Sequence, residues 1–288
     1  MAEFEKGQDV LGRYINVNGL SLYVRDAGAG DGEKDPVLLL HGFPDTGDLW
    51  RFQVPFLVER GYRTIVPDLR GRGLSDKPAD VQDYRMSKLV SDVSGLLDAL
   101  HVQRVHLVGH DFGAALAWVC AAALPDRIRT LTVLSVGAPS TGELPSLEAL
   151  QKAWYRILFV FPGNVAERLV AEHDWYLFRQ LTGSSPDADK YLENMKDPDA
   201  LTAGLNWYRA ITPVDKLVSV SSREFEVKAP TLGVFSSGDV ALSEEAMKSS
   251  QKVVKAPWRY EKMEGIGHWI PLENPNGFNQ LLAEFLNP

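Results

Sequence analysis

Residues 104–114 read Arg-Val-His-Leu-Val-Gly-His-Asp-Phe-Gly-Ala. A short apolar run leads into a turn around Asp111, and an Ala-rich segment then continues to Leu124. This pattern predicts a strand, a sharp turn and a helix, the layout of a nucleophile elbow with Asp111 at its apex. Gly109 and Gly113 lack the Cβ atoms that would crowd such a strained turn. Because the apex is Asp and not Ser, attack on carbon would make an alkyl ester, which predicts opening of a strained or activated C–X bond.

Length and composition limit the classes of protein to which this chain can belong. The 288 residues suffice for one large domain, or for one domain with an insertion. A formal charge of −8 and a pI near 5.3 argue against nucleic acid or an anionic membrane as a partner. The chain shows neither a signal-peptide pattern nor an apolar run of the roughly 20 residues that span a bilayer. Cys120 is the single cysteine, which favours a reducing compartment, and we expect a cytoplasmic protein.

Strands and helices are predicted to alternate through the first half of the chain. An Asn18-Gly19 pair between two alternating runs predicts a β-hairpin over 13–26. The alternation that follows indicates a mostly parallel sheet covered by helices on both faces. Its predicted strands are 36–40, 63–67, 104–108 and 128–136, and its predicted helices are 49–60, 86–100 and 112–124.

The pattern changes between Gly137 and about Asp215. This stretch has helical segments, turn clusters and many aromatic residues, and it contains no convincing strand. We therefore predict a first core segment at 1–140, a helical cap at 141–215 and a second core segment at 216–288. In that last segment, strands are predicted at 230–235 and 259–261 and helices at 243–252 and 276–286.

Three titratable residues, Asp111, Asp239 and His268, each follow a predicted strand. Asp239 comes after the strand 230–235, and His268 comes after the last strand. Parallel sheets display catalytic groups at the carboxyl ends of their strands, where Asp111 also lies. Each residue alone could be structural, but the set predicts a nucleophile, an orienting acid and a histidine base. No pair of histidines has metal-ligand spacing, so we expect no metal and no cofactor.

A second motif, His41-Gly42-Phe43-Pro44, directly follows the strand 36–40. Hydrolysis of an alkyl ester passes through an oxyanion that needs backbone donors. We predict that these are the N–H of Phe112 and the N–H of Phe43, because Pro44 has no N–H to donate.

A third loop is rich in charge and glycine. It reads Asp-Leu-Arg-Gly-Arg-Gly-Leu-Ser over residues 68–75. No Lys-Ser/Thr pair follows the glycines in the frame of a phosphate-binding loop, so we interpret this run as structural.

Together these motifs resemble the α/β-hydrolase-fold epoxide hydrolases, over nearly the whole chain. The resemblance implies an eight-stranded, mostly parallel sheet covered by helices, with an inserted helical cap. It also implies two cap tyrosines that hold the epoxide oxygen. Tyr208, in Asn206-Trp207-Tyr208-Arg209, is similar to one of them, and Tyr155, before Pro162-Gly163, is similar to the other. Phenols can hydrogen-bond to or protonate such an oxygen at neutral pH. Trp207 is assigned to substrate binding by the same resemblance.

Two other functions stay open. Haloalkane dehalogenases also use an Asp nucleophile, but they usually have Asn where Phe43 stands and Trp where Phe112 stands. A non-catalytic relative that binds a small ligand is disfavoured by the complete set Asp111, Asp239 and His268. We therefore predict a cofactor-independent hydrolase that acts on an apolar or aromatic epoxide and water. The sequence leaves both a monomer and a homodimer open.

Overall fold

One eight-stranded sheet organises the part of the chain that the structure describes. The structure is a computed structural model, and it describes residues 12–28, 34–139, 144–211 and 225–286. The strands are β1 Gly12–Val17, β2 Leu20–Ala27, β3 Val37–Leu40, β4 Thr64–Pro67, β5 Val105–His110, β6 Ile128–Leu134, β7 Thr231–Ser236 and β8 Trp258–Met263. Their order in the sheet is β1-β2-β4-β3-β5-β6-β7-β8. The pairs β1–β2 and β2–β4 are antiparallel, and the remaining neighbours are parallel.

The central strands are buried along their full length. Leu38, Leu107 and Leu131 lie side by side on β3, β5 and β6, and all three are fully buried. Apolar residues follow one another without alternation here because helices cover both faces of the sheet. At the edge, Asn18 and Gly19 adopt φ angles of 55° and 78° between β1 and β2, as the predicted hairpin requires.

Helices flank the sheet and fill a long insertion between β6 and β7. We call the five helices between Leu147 and Ile211, α4–α8, the cap. Within the described residues 144–211 the cap holds helices and turns and no strand. The predicted segment boundaries at 140/141 and 215/216 lie outside the described residues. The helices are α1 Gln53–Val58, α2 Met86–Ala99, α3 Phe112–Ala123, α4 Leu147–Lys152, α5 Trp154–Phe159, α6 Val165–Thr182, α7 Ala188–Met195, α8 Pro198–Ile211, α9 Glu244–Ser249, α10 Ile270–Glu273 and α11 Pro275–Leu286.

Several predicted elements differ in detail from the structure. The helix predicted over 243–252 is α9 followed by a 3-10 helix, Ser250–Val253. The helix predicted over 49–60 is instead a short 3-10 helix, Gly47–Trp50, followed by α1. Pro55 explains the break, because its ring and missing N–H are tolerated only in a first helical turn. The strand predicted to reach residue 136 ends at Leu134, where Ser135 turns into the left-handed region with φ 70°.

The helix α6 is interrupted within the cap. The backbone leaves helical geometry from Glu172 to Trp175, and three successive residues there have positive φ. Phe178 and Thr182, on the part of α6 after this break, line a pocket together with residues at the strand ends. Within the described ranges, no helix is long and apolar enough to cross a membrane.

Candidate active site

Asp111 occupies a sharp turn between β5 and α3. Its φ is 53° and its side chain is largely buried. A residue other than glycine held in such a backbone region costs of order 1–3 kcal/mol. Two glycines make the close approach possible: a Cβ on Gly113 would lie 2.1 Å from the Leu40 carbonyl oxygen, and a Cβ on Gly42 would lie 2.4 Å from Asp111 Oδ1. The loop after β3 can therefore reach the Asp111 carboxylate.

His268 lies between two carboxylates. Its Nδ1 is 2.8 Å from Asp239 Oδ2, and its Nε2 is 3.6 Å from Asp111 Oδ2. The second oxygen of Asp239 accepts hydrogen bonds from the N–H groups of Ala241 (2.9 Å) and Leu242 (3.0 Å). The structure thus brings the three residues together at the carboxyl ends of β5, β7 and β8, and Asp239 is held so that it orients the imidazole.

Two backbone donors reach the Asp111 carboxylate. The N–H of Phe43 donates to Oδ1 at 2.9 Å, and the N–H of Phe112 also hydrogen-bonds to this carboxylate. His41 supports the loop from behind: its Nδ1 is 2.9 Å from the Gly42 carbonyl, and its Nε2 accepts the N–H of Leu69 at 3.0 Å. Two backbone N–H groups therefore hydrogen-bond to the Asp111 carboxylate, as the donors of an oxyanion hole would.

Tyr155 and Tyr208 lie opposite the sheet on cap helices α5 and α8. Both side chains are buried, and their ring centroids are 6.1 Å apart in an edge-to-face arrangement. Burial and the nearby charge of Asp111 raise the pKa of Tyr155, and burial with Tyr155 and Asp111 raises the pKa of Tyr208. Both phenols therefore stay protonated at neutral pH, as hydrogen-bond donors must.

A pocket lies between the cap tyrosines and the core residues. Its wall is mainly apolar with a few placed polar groups, as is usual for small-molecule sites. The polar groups of the wall are Asp111, His268, Tyr155, Tyr208 and Thr182, and the apolar ones include Phe43, Phe159, Phe178, Leu181, Val240 and Trp269.

The titratable groups of this site shift one another's pKa values. Burial disfavours a charged His268, but Asp239 and Asp111 outweigh burial and raise the pKa of His268 to about 9. Burial likewise opposes charge on Asp239, yet His268 and two backbone N–H groups lower the pKa of Asp239 to about 2. Burial raises the pKa of Asp111, against the attraction of His268. Before any reaction, His268 is therefore an imidazolium at neutral pH.

Comparison with known proteins agrees with this geometry. A model of the alpha/beta hydrolase fold matches residues 35–275. The chain is 32% identical to the AB hydrolase superfamily protein YfhM of Bacillus subtilis, over 95% of this chain and 97% of that protein. It is 30% identical to an epoxide hydrolase of Caballeronia sordidicola, over 94% of this chain and 92% of the relative. The chain belongs to the epoxide hydrolase family.

The fold of this epoxide hydrolase family member also matches a solved structure. Epoxide hydrolase A from Mycobacterium thermoresistibile superposes with a TM-score of 0.80 at 28% identity, over 96% of this chain and 98% of that chain. The predicted α/β-hydrolase fold, with its mostly parallel eight-stranded sheet and inserted helices, is confirmed.

One residue assigned to the substrate in this family member contacts other protein groups instead. The indole N–H of Trp207 donates to the Arg70 carbonyl oxygen at 2.9 Å, and its ring packs edge-on against Phe112 at 5.0 Å. The pocket wall is formed by the neighbouring Tyr208. Trp207 therefore supports Phe112 and the helix that carries Tyr208, and its assignment to substrate binding stays a prediction.

Two residues near the family's catalytic groups were not singled out from the sequence. The carboxyl of Asp45, directly after Pro44, accepts a hydrogen bond from the hydroxyl of Tyr191 on α7. His110 Nε2 lies 2.9 Å from the backbone carbonyl of His268 and donates to it. Burial raises the pKa of Asp45 to about 7 and lowers that of His110 to about 3. Their only sequence signal was adjacency to the two motifs.

Proposed function

We propose that this protein hydrolyses an apolar or aromatic epoxide to a vicinal diol through a covalent ester on Asp111. The observation that carries the proposal is that a carboxylate and two protonated phenols line opposite walls of one pocket. An epoxide needs both, a nucleophile at carbon and a proton donor at oxygen. The largely apolar wall supports an apolar substrate.

The first step is alkylation of the nucleophile. One carboxylate oxygen of Asp111 attacks a ring carbon while the C–O bond of the epoxide breaks. Oδ2 is the suitable oxygen, because Oδ1 is held by the Phe43 N–H. The departing oxygen receives a hydrogen bond and then a proton from Tyr155 or Tyr208. A hydroxyalkyl ester on Asp111 results, and the proton that His268 carries in the free enzyme passes to the tyrosinate, which leaves a neutral imidazole.

The second step is hydrolysis of that ester. His268 removes a proton from a water molecule, which attacks the carbonyl carbon of the ester. The N–H groups of Phe43 and Phe112 stabilise the oxyanion, and Asp239 stabilises the imidazolium that forms on His268. Collapse of the tetrahedral intermediate breaks the bond to the alkyl oxygen, which takes the proton of the Asp111 carboxyl and leaves as the diol, so that carboxylate and imidazolium are regenerated.

The test separates epoxide opening from its closest alternative. A panel of styrene-type and aliphatic epoxides is scored for diol, a haloalkane panel for halide, and Asp111→Ala serves as the blank. We expect diol from the epoxides only, and we expect His268→Gln to accumulate a one-substrate adduct in its intact mass. Halide release without diol would make the protein a dehalogenase. Diol formation by Asp111→Ala would contradict the covalent route.

The location of the protein in the cytoplasm stays a prediction. So does the absence of a nucleic-acid or membrane partner. A small epoxide and water are the substrates that the family relation supports.

A further inference from the structure

Arg72 is a buried cation that binds one loop of the active site. It lies in the loop after β4, and only 2% of its surface is exposed. Its Nε and Nη2 each lie 3.2 Å from the Asp45 carbonyl oxygen, and Nη2 also donates to the Pro44 carbonyl oxygen. Within the described part of the chain, its hydrogen bonds to oxygen all reach backbone carbonyls.

Arg70, two residues earlier, shows the usual alternative. It is also buried, but it donates two hydrogen bonds of 2.7 Å to the Asp92 carboxylate. A buried charge without such a partner loses several kcal/mol of hydration that only its hydrogen bonds can offset. Burial lowers the pKa of Arg72 to about 10, so it is still charged at neutral pH. Arg72 therefore directs its hydrogen bonds to the backbone of Pro44 and Asp45 and not to a carboxylate.

That loop begins with the oxyanion-hole donor. The N–H of Phe43 lies 2.9 Å from Asp111 Oδ1, and the next two carbonyls are the ones that Arg72 binds. The guanidinium carbon is 5.2 Å from the Phe43 ring centroid. The same ring packs edge-on against Tyr208 at 5.7 Å. Arg72 thus contacts both the backbone and the side chain of the loop that touches Asp111.

The cap encloses this contact from above. A Cβ on Gly204 of α8 would lie 2.5 Å from the Phe43 ring and 3.0 Å from Arg72 Nη1. Met195 of α7 places its sulfur 3.9 Å from the same nitrogen. With the cap this close, the guanidinium and the loop have little room to move independently.

We propose that Arg72 is a positioning residue that holds the Phe43 N–H on Asp111 Oδ1 for hydrolysis of the alkyl-enzyme ester. This inference rests on the proposed function. In the free enzyme the N–H stabilises the nucleophile itself, which does nothing to speed alkylation. In the tetrahedral intermediate the same oxygen carries the developing charge, and an aligned donor is then most valuable. Loss of alignment therefore slows hydrolysis selectively.

The kinetic test compares the two chemical steps in Arg72→Met and Arg72→Lys. Removal of an oxyanion-hole donor costs roughly 100- to 1,000-fold, so we expect misalignment in Arg72→Met to slow hydrolysis about tenfold or more. Alkylation should be unchanged or faster, so the ester accumulates in quenched-flow samples analysed by intact mass. Lys keeps the charge but cannot fork to two carbonyls, so Arg72→Lys should show the same change to a smaller extent.

A merely structural role would behave differently. Loss of folded protein lowers both rates by one common factor, and that result in both variants overturns the proposal. The matched control is Arg70→Lys, in the same loop, which retains a charge beside Asp92 and should leave the ratio of the two rates unchanged.

A second measurement needs no substrate. The amide of Phe43 should exchange its hydrogen at least about tenfold faster in Arg72→Met, and measurably faster in Arg72→Lys, than in the wild type or in Arg70→Lys. Unchanged exchange in both Arg72 variants overturns the positioning role whatever the kinetics show. A wild type that forms neither adduct nor diol overturns the proposed function instead, and the exchange result still decides the place of Arg72.

Discussion

His268 Nε2 lies 3.6 Å from Asp111 Oδ2, and this short separation couples the base to the state of the nucleophile. In the free enzyme the carboxylates of Asp239 and Asp111 both favour the imidazolium. When Asp111 becomes an ester it loses its charge, whereas Asp239 keeps its own. The pKa of His268 must then fall, so alkylation itself releases the base for the step that needs it.

The first prediction tests this coupling without any substrate. Asp111→Asn removes the same charge that ester formation removes, so the pKa of His268 should drop below its wild-type value of about 9. Nitrogen-15 NMR of the imidazole against pH measures it. The control is Asp98→Asn, an exposed carboxylate paired with Arg127. An unchanged His268 titration in Asp111→Asn would show that the two groups are not coupled.

The second prediction concerns Gly42. A Cβ there would lie 2.4 Å from Asp111 Oδ1, so Gly42→Ala must displace the nucleophile. Because a displacement of about 1 Å can cost roughly 100-fold, we expect alkylation to slow at least about tenfold. Single-turnover adduct formation measures it. Gly163→Ala is the control, since nothing lies within 4 Å of Gly163 and only its positive φ makes the change costly. Alkylation at the wild-type rate by a well-folded Gly42→Ala would show that the added Cβ does not displace Asp111.

The third prediction concerns the two phenols of the cap. Tyr155→Phe and Tyr208→Phe each keep the aromatic packing but lose a proton donor. Since general acid catalysis contributes roughly 100- to 10,000-fold, the double variant should lose at least about 100-fold in the rate of alkylation. Tyr176→Phe, on an exposed cap residue, should match the wild type. A double variant with full activity would remove these tyrosines from the mechanism.

The fourth prediction is a dependence of stability on pH. Burial raises the pKa of Asp45 from 3.8 to about 7. Between these values the folded protein holds a proton that the unfolded chain releases, so this group destabilises the fold progressively as pH rises through that window. The effect is on the order of 1.4 kcal/mol for each pKa unit.

Asp45→Asn removes this titration and keeps an oxygen for the Tyr191 hydroxyl. Its Tm relative to the wild type should therefore be higher at pH 8 than at pH 5. Asp126→Asn, on an exposed residue, should show no such change between the two pH values. A Tm difference for Asp45→Asn that is equal at both values would mean that Asp45 titrates alike in the folded and unfolded chain.

Local patterns in the sequence were sufficient for most of the fold. The unbroken apolar run at 37–40 predicts a buried strand, and Asn18-Gly19 predicts a hairpin turn. Each signal lies within a few neighbouring residues. The turn at Asp111 was visible for the same reason, because glycine spacing and strand-helix order are local signals. The break before α1 was missed, since a helical period continues across residues 49–60, although Pro55 requires a new helix to begin just before it.

Contacts between distant segments could not be predicted from the sequence. Arg72 contacts Asp45 across 27 positions, and Tyr191 reaches the same residue across 146. No periodicity reports which buried polar group meets which carbonyl, and Arg70 and Arg72 look alike in sequence although their partners differ. Adjacent residues on one helix point about 100° apart, and here Tyr208 lines the pocket whereas Trp207 packs against Phe112, a difference that the sequence does not reveal.

The acid and the nucleophile of the proposed reaction belong to different parts of the molecule. Tyr155 and Tyr208 stand on α5 and α8 of the insertion, whereas Asp111 and His268 stand at strand ends of the sheet. Recognition of the electrophile can therefore diverge through replacement of the inserted helices, while the ester-cleaving apparatus is inherited intact. Libraries within residues 144–211 that keep Met195 and Gly204 beside Arg72 should accordingly alter which compounds enter the first step, and they should leave the lifetime of a given ester nearly constant.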